Sequence, residues 1–248
     1  MEPDVASRPA VPSLGWGVMH LHFGVTGHRA EAVDVEEATA VVDAFNADPD
    51  YQCLAYAVLG QRADLGLLLV GPDLVRLQAL HQDLLATPLG ARLEERPELS
   101  FISITEASEY MEDDGSPRVA ASRDARLHPR NLPLRRMLCF YPMAKRRTGE
   151  DNWYRLPFDR RRELMHGHGR VGRGFSGRVL QMITAATGLS DWEWGVTLLV
   201  DDPKAIKDVV YEMRYDDVSA RYGEFGPFVV GLLAPFREAV VQAGVRPA

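Results

Sequence analysis

The order in which strand-like and helix-like segments follow one another is the feature that most constrains how this chain can fold. In the first part of the chain the hydrophobic pattern predicts alternating elements of both kinds. Strands are expected at 14–24, 51–60, 65–71 and 98–107, and helices at 35–46 and 72–86. The resulting order, β-α-β-β-α-β, is typical of a ferredoxin-like unit.

The same order recurs in the second part of the chain. Here strands are expected at 134–143, 178–187, 192–201 and 227–235, and helices at 157–172 and 202–215. Pro157 and Pro203 stand where a proline favours the first turn of a helix. No residue-level repeat links the two parts, so only the topology repeats. We therefore predict an α+β fold built from two ferredoxin-like halves with antiparallel sheets.

These elements divide the chain into four segments. The boundaries are a disordered N-terminus at 1–13, an N-terminal half at 14–107, a linker and loop at 108–133, and a C-terminal half at 134–248. The linker is polar and contains one glycine and three prolines between positions 115 and 133. Such residues are common in turns and loops, so we expect no helix or strand there.

Composition and cysteine usage place the chain in a broad class. It has 248 residues, of which 46% are hydrophobic and 25% charged, as in ordinary globular proteins. Cys53 and Cys139 are the only cysteines and lie inside apolar runs, so we expect no disulfide framework and a reducing compartment. No run reaches the roughly 18 apolar residues of a transmembrane helix, and the N-terminus lacks the apolar stretch of a secretory signal. These features predict a soluble, cytoplasmic protein.

Charge is distributed unevenly along the chain. The formal net charge of −7 argues against general binding of nucleic acid. Residues 123–178, however, hold 15 of the 28 lysines and arginines but only five acidic residues, a local net charge of +10. This segment is either a solvated basic face or a site for a ligand with several carboxylates or phosphates, which arginine and lysine bind well.

The predicted helix at 157–172 contains two histidines two residues apart. On a helix this spacing separates His166 and His168 by roughly 200°, so one pocket can use only one of them. His168 shares a face with Leu164, Met165 and Val171, whereas His166 lies on the charged face. His168 is thus the inward histidine, either a core histidine bonded to a carbonyl or an axial ligand of haem iron. No zinc-type spacing of cysteine and histidine accompanies it.

The strand at 134–143 carries the other candidate groups. Cys139, Tyr141, Met143 and, if the chain stays extended, Lys145 point to one side, because strand side chains alternate between faces. A lysine is rarely buried in a strand for packing reasons. Lys145 is therefore either part of a site or the start of a solvated turn formed with the two arginines that follow it.

Several long strings in the second half resemble one known family. They are CFYPMAKRR (139–147), NWYRLPFDRRRELMHGHGR (152–170), GLSDWEWGVTLLVDDP (188–203) and VYEMRYDDVSARYGEFGPFVVGLL (210–233). In this order they resemble the coproheme decarboxylases, within the chlorite dismutase-like group of dimeric α+β barrel proteins. The likeness is nearly continuous over 134–233 and weak in the N-terminal half.

The resemblance implies an enzyme of haem synthesis that assembles as a homopentamer. Its substrate would be iron coproporphyrin III, which is also the redox centre and carries four propionates. Hydrogen peroxide would drive oxidative decarboxylation of two propionates to vinyl groups, giving haem b. Whether the chain makes a transient contact with the ferrochelatase that supplies the substrate is left open by the sequence. Net charge and hydropathy predict no nucleic acid as partner and no transmembrane segment.

The resemblance also implies roles for particular residues. Tyr141 corresponds to the family's catalytic tyrosine, thought to form a radical. Lys145 corresponds to the lysine beside a reacting propionate, and His168 to the proximal ligand of iron. The remaining positions that match pocket or propionate contacts are Tyr110, Met143, Arg173, Gln181, Arg214 and Ser219. Gln181 stands where chlorite dismutases carry a distal arginine, which argues against chlorite chemistry.

Two points stay open from the sequence. Actinobacterial members of the family have a distal histidine in a context similar to the LHP string around His128. His128 is therefore either a base that deprotonates peroxide, for which histidine suits neutral pH, or an ordinary loop residue beside Pro129. The rival functions are a chlorite-degrading or general haem peroxidase enzyme, and a non-enzymatic haem carrier or sensor that would need His168 but not Tyr141 or Lys145.

Overall fold

The computed structural model describes residues 9–110 and 114–248. Its strands are β1 (Gly17–Val25), β2 (Ala32–Val33), β3 (Gln52–Val58), β4 (Leu65–Gly71), β5 (Leu93–Glu95), β6 (Phe101–Thr105), β7 (Met137–Lys145), β8 (Val179–Ala185), β9 (Trp194–Val200), β10 (Gly223–Phe225), β11 (Val229–Ala234) and β12 (Arg246–Pro247). Its α-helices are α1 (Glu36–Asn46), α2 (Leu74–Leu85), α3 (Pro117–Leu127), α4 (Phe158–Arg173), α5 (Pro203–Met213), α6 (Asp217–Tyr222) and α7 (Phe236–Gln242).

Eight of the strands form a closed antiparallel ring. Their order is β7-β11-β3-β4-β1-β6-β8-β9, and β9 pairs again with β7. Within each half the order is that of a ferredoxin-like sheet, with the first and third strands of the half at its centre. The halves join through the β11–β3 and β6–β8 pairings. The predicted fold class, an α+β barrel of two ferredoxin-like halves, is confirmed.

Burial on both faces explains the apolar character of the strands. Residues that point inward, such as Val18, Leu68 and Phe140, form one core inside the ring. Outward residues of the N-terminal half pack under α1 and α2. Those of the C-terminal half, including Cys139 and Val196, pack under α4 and α5. The barrel therefore separates an inner core from two outer layers, and the candidate site lies in one of the outer layers.

Two predicted segments differ from the structure. The segment 108–133, expected to be only linker and loop, contains α3, which begins after Ser116 with the Ser116 side chain accepting from the Val119 N–H. The serine–proline start and the absence of glycine or proline through Leu127 favour this helix over a loop. The chain also contains a helix near its end that the pattern did not predict, α7, which packs on the core of the N-terminal half through Phe236 and Val240.

Most of the predicted disordered N-terminus, residues 1–8, lies outside the described residues. Among the helices of the described ranges, none combines the length and apolar character needed to cross a membrane.

Candidate functional site

A cavity lies between the outer face of the C-terminal half of the barrel and the helices that cover it. From the sheet side it is lined by Tyr141, Met143, Gln181, Ile183, Val196, Leu198, Phe225 and Phe228. From the helix side it is lined by His168, Val209, Val210, Met213, Arg214 and Ser219. The walls are mostly apolar, and the few polar groups converge from α4, the end of α5, and α6. Such a combination is typical of a small-molecule site.

Tyr141 forms part of the sheet wall. It is 8% exposed, and its ring stacks on Phe228 with centroids 4.3 Å apart. Burial raises the pKa of the phenol, so the hydroxyl stays protonated at neutral pH. Within the described part of the chain this hydroxyl has no hydrogen-bond partner. The phenol is therefore held in place by packing and is free to donate to a ligand.

His168 enters the cavity from α4. Its Nδ1 lies 3.1 Å from Oδ1 of Asp216. Burial raises the pKa of Asp216, but the hydrogen bonds that it accepts from His168, Ser219 and Val218 bring the pKa below its usual value. A carboxylate can only accept, so Nδ1 carries the proton and Nε2 remains available as a ligand. A histidine oriented by a carboxylate in this way is a common arrangement at metal sites.

His166 faces the other side of α4, as the helical spacing predicts. Its Nε2 lies 3.2 Å from the carbonyl oxygen of Tyr110, on the far side of the helix from the cavity. Of the two histidines, only His168 lines this cavity.

A buried lysine lies behind the cavity wall. Lys145 is 7% exposed, and its ammonium lies 5.1 Å from the centre of the Trp153 ring. Burial lowers its pKa to about 8, although the carboxylates of Asp216 and Glu193 oppose this effect. Asp216 Oδ2 is itself buried, and among the described residues no group forms a hydrogen bond with it. Lys145 is therefore coupled electrostatically to the carboxylate that orients His168.

Six of the ten residues predicted for the site line one cavity. They are Tyr141, Met143, His168, Gln181, Arg214 and Ser219. They converge because β7, β8, α4, α5 and α6 belong to one ferredoxin-like half, in which the helices pack over the strands that flank them. Arg214 and Ser219 sit at the end of α5 and within α6, on the helix side of the cavity.

The other four predicted residues do not line this cavity in the described part of the chain. Lys145 lies behind it, as described above. Arg173 is exposed at the last residue of α4. Tyr110 packs against Trp153 and Phe158 on the opposite side of α4, so it is not in reach of a ligand here.

His128 is placed on the other side of the sheet. It ends α3, with Nδ1 2.7 Å from Asp124 Oδ1 and its ring 5.6 Å from the Trp16 ring. Trp16 belongs to the core inside the barrel, together with Met182, whose neighbour Gln181 faces the cavity. This geometry corrects the expectation that His128 serves the site, and it favours the interpretation as a loop residue.

Three contributors were not found from the sequence. Asp216 orients His168, Phe228 stacks on Tyr141, and Glu193 accepts a 2.8 Å hydrogen bond from the Lys145 backbone N–H. The only local signal at Asp216 is that of a helix N-cap, which it also is, accepting from the N–H groups of Val218 and Ser219. Its contact with His168 follows from tertiary packing alone.

A second, larger cavity of about 370 Å³ lies beside Trp16, Asp50 and Arg130 in the N-terminal half. Its polar groups are engaged with one another. Arg130 pairs with Asp50 at 2.8 Å and covers the Trp16 ring, and Gln52 is bonded through both amide atoms to the Leu132 backbone. With its groups so committed, we do not regard it as the catalytic cavity.

Comparison with known proteins identifies the family. Residues 29–234 match the chlorite dismutase family. The chain belongs to this family. This chain is similar to a solved structure described as a haem-binding protein from Thermus thermophilus. The two are 36% identical over 96% of this chain and 100% of that one, with a TM-score of 0.80.

More distant members share the fold. A mutant chlorite dismutase from Candidatus Nitrospira defluvii is 17% identical over 94% of this chain and 97% of that one, with a TM-score of 0.75. A putative chlorite dismutase is 20% identical over 92% of this chain and 98% of that one, with a TM-score of 0.73. At these identities the similarity shows that the proteins share a fold, and it says nothing about the reaction of this chain.

Proposed function

We propose that this protein binds iron coproporphyrin III through His168 and uses hydrogen peroxide to decarboxylate two of its four propionates, giving haem b. The observation that carries the proposal is that an oriented imidazole, His168, and a buried phenol, Tyr141, line one cavity. The similar protein from Thermus thermophilus is described as haem-binding, which supports a porphyrin as the ligand.

The residues present fit an iron porphyrin. With Nδ1 of His168 bonded to Asp216, Nε2 is the nitrogen that would coordinate iron. The apolar side chains Val196, Leu198 and Met213 suit the faces of a macrocycle, and Arg214 and Ser219 suit its carboxylates. The basic segment 123–178 includes α4, the helix that carries His168.

A ligand as large as a porphyrin can enter the cavity only if one of its walls moves. The enclosed space is about 90 Å³, below the roughly 300–1,000 Å³ of ligand pockets. The sheet wall is hydrogen-bonded on both sides within the ring. Helix α4 has a single buried residue, Leu164, among its 16. We therefore expect α4 to move outward when the ligand enters.

In the proposed reaction the ligand and the protein chain have different roles. The iron porphyrin, when bound, supplies oxidising power by its reaction with peroxide. Each propionate then loses CO₂, two electrons and one proton to become a vinyl group, while one peroxide is reduced to two waters. Tyr141 would pass its hydroxyl proton to the carboxylate and one electron to the oxidised porphyrin, and the phenoxyl would then regain a hydrogen atom from a CH₂ group of the propionate. Loss of CO₂, a proton and a second electron from the side chain would leave the vinyl group and the restored phenol. Burial excludes water from this phenol, which favours transfer to the ligand over side reactions.

The two rival functions make different demands on the same cavity. Chlorite degradation benefits from a distal cation that holds the oxyanion, and Gln181 supplies a neutral amide at the position where chlorite dismutases carry arginine. A haem carrier or sensor needs His168 but has no use for a buried, unbonded phenol. The neutral Gln181 and the placement of Tyr141 both favour the decarboxylase.

A peroxide titration of the protein loaded with iron coproporphyrin III tests the proposal. We expect the release of two CO₂ per porphyrin and the appearance of haem b, followed by absorbance and mass spectrometry. The variant Tyr141→Phe should bind the porphyrin but leave its propionates intact, whereas Tyr211→Phe, on the exposed side of α5, should react like the parent. Oxygen release from chlorite, or intact propionates in the parent protein, would favour the rivals.

The resemblance leads us to propose two associations as well. One is a homopentamer, which light scattering of the purified chain would measure directly. The other is a transient contact with the ferrochelatase that delivers the substrate, which porphyrin transfer between the two proteins would reveal as a rate that depends on ferrochelatase concentration.

A further inference from the structure

A second tyrosine, remote from the cavity walls, is paired with a histidine inside the barrel. Tyr56 and His22 are 0% and 1% exposed, and the Tyr56 hydroxyl lies 2.8 Å from Nε2 of His22. The ring of Tyr56 occupies space left by Gly66 and Gly231, where an added Cβ would come within 2.5 Å of it. The inner core thus makes room for the pair, and the proposed reaction does not use it.

The second nitrogen of His22, Nδ1, determines which group donates in the hydrogen bond between Tyr56 and His22 Nε2. Nδ1 of His22 lies 2.9 Å from the carbonyl oxygen of Leu99, which can only accept. Nδ1 therefore carries the proton, Nε2 is bare, and the Tyr56 hydroxyl donates to it. A phenol that donates to a bare imidazole nitrogen can lose an electron and its proton together, because the proton has an acceptor already in place.

Tyr141 lacks such an acceptor. In the described part of the chain its hydroxyl has no hydrogen-bond partner, so its oxidation depends on a base supplied by the ligand. In the proposed reaction this base is the carboxylate of a propionate. Once the reactive propionates have become vinyl groups, Tyr141 has lost its proton acceptor, while Tyr56 keeps His22.

The two tyrosines are connected through β7. Tyr141 points outward to the cavity, and the adjacent residue Phe140 points into the barrel. The Phe140 ring stacks on His20 at 3.8 Å and lies 6.2 Å from the His22 ring. Only the thickness of one strand and an aromatic contact therefore separate the cavity from the Tyr56–His22 pair.

We infer that Tyr56 and His22 form a redox site that discharges oxidising equivalents when peroxide meets the product haem. This inference rests on the proposed function for its oxidant, the peroxide-oxidised iron porphyrin. Tyr56 would give one electron to that centre. The Tyr56 hydroxyl proton moves to Nε2 of His22, leaving a neutral tyrosyl radical and an imidazolium. No bond between heavy atoms forms or breaks. A small-molecule thiol then restores the phenol by giving one electron, and the proton returns from the imidazolium of His22.

Rapid-freeze electron paramagnetic resonance on the protein loaded with haem b tests this site. Absorbance verifies that the protein is loaded with haem b before one equivalent of peroxide is added. In protein made with ring-deuterated tyrosine, a change in the signal identifies it as a tyrosyl radical. We expect the signal in the parent and in Tyr141→Phe, and its loss in Tyr56→Phe. His22→Leu, which keeps the phenol but removes its proton acceptor, should lose the signal too. Haem bleaching by excess peroxide should be several-fold faster in Tyr56→Phe.

The outcomes separate this inference from the proposed function. A signal that persists in Tyr56→Phe, or one that disappears only in Tyr141→Phe, overturns the inference even if coproporphyrin is decarboxylated normally. A Tyr56-dependent signal together with intact propionates supports the inference and overturns the decarboxylase. Because Tyr56→Phe retains the ring that packs over Gly66 and Gly231, its thermal unfolding should stay close to that of the parent, and a melting curve checks this.

Discussion

His168 and Asp216 lie 48 positions apart in the chain, yet Nδ1 of one and Oδ1 of the other are 3.1 Å apart. The same carboxylate accepts from the N–H groups at the start of α6, which also carries Ser219 into the cavity. One side chain therefore links the orientation of the proposed iron ligand to the position of a helix that lines the site.

Shortening Asp216 should weaken porphyrin binding. Asp216→Ser retains an N-cap for α6 but cannot reach His168, so the imidazole loses its orienting partner. We expect affinity for the iron porphyrin to fall by about 10- to 100-fold, the usual effect of removing such a partner. Absorbance titration measures it, with Asp217→Ser, at the adjacent exposed residue, as the control. Equal affinities in the two variants would contradict the orienting role.

The buried Lys145 should make the free energy of unfolding depend on pH in the alkaline range. Its folded-state pKa is about 8 against an ordinary value of 10.5, so between these values the unfolded chain binds more protons and stability rises with pH. The shift corresponds to roughly 3 kcal/mol. Denaturant unfolding of the ligand-free protein between pH 7.5 and 10.5 should show this rise, and Lys145→Met should show less of it. Parallel curves for the two proteins would contradict the prediction.

The two histidines inside the barrel should make the fold sensitive to acid. Burial lowers the pKa of His22 from 6.5 to about 4, and that of His20 well below 6.5. Protons therefore bind preferentially to the unfolded chain, and stability falls as the pH drops from 6.5 towards 4. His22→Gln should make the fall less steep in urea unfolding measured across this range. An unchanged slope would show that His22 is already protonated in the folded state or does not contribute.

Glycines in two environments should respond oppositely to alanine. At Gly167, inside α4, an added Cβ would meet no atom within 4 Å. Gly167→Ala should thus stabilise α4 by about 1 kcal/mol through helix propensity. If α4 must move to admit the porphyrin, association should also slow, as stopped-flow absorbance would measure.

The comparison variant is Gly231→Ala in β11. Its Cβ would lie 2.5 Å from the Tyr56 ring and 2.7 Å from the Ala57 carbonyl oxygen. We expect destabilisation by about 1–3 kcal/mol, as for overpacked cores. A loss of stability in Gly167→Ala, measured by the same urea unfolding, would show that α4 does not gain from a residue of higher helix propensity there.

The order of the elements and the identity of the inward residues were determined by the sequence itself. Hydrophobic patterns of period two and 3.6 depend on which side of one element faces a core, and this is local information. They predicted the twelve principal elements and placed His168 and His166 on opposite faces of α4. Alternation along β7 likewise placed Tyr141 and Met143 on one side of the strand.

Only the tertiary structure decided which of these faces share a cavity. The approach of Asp216 to His168, the stacking of Phe228 on Tyr141, and the packing of α7 on the opposite half all join residues far apart in the chain. The same holds for the exclusion of His128, which depends on the face of the sheet that α3 reaches. Such contacts follow from strand register and from the closure of the ring through β11–β3 and β6–β8, and no local pattern encodes either.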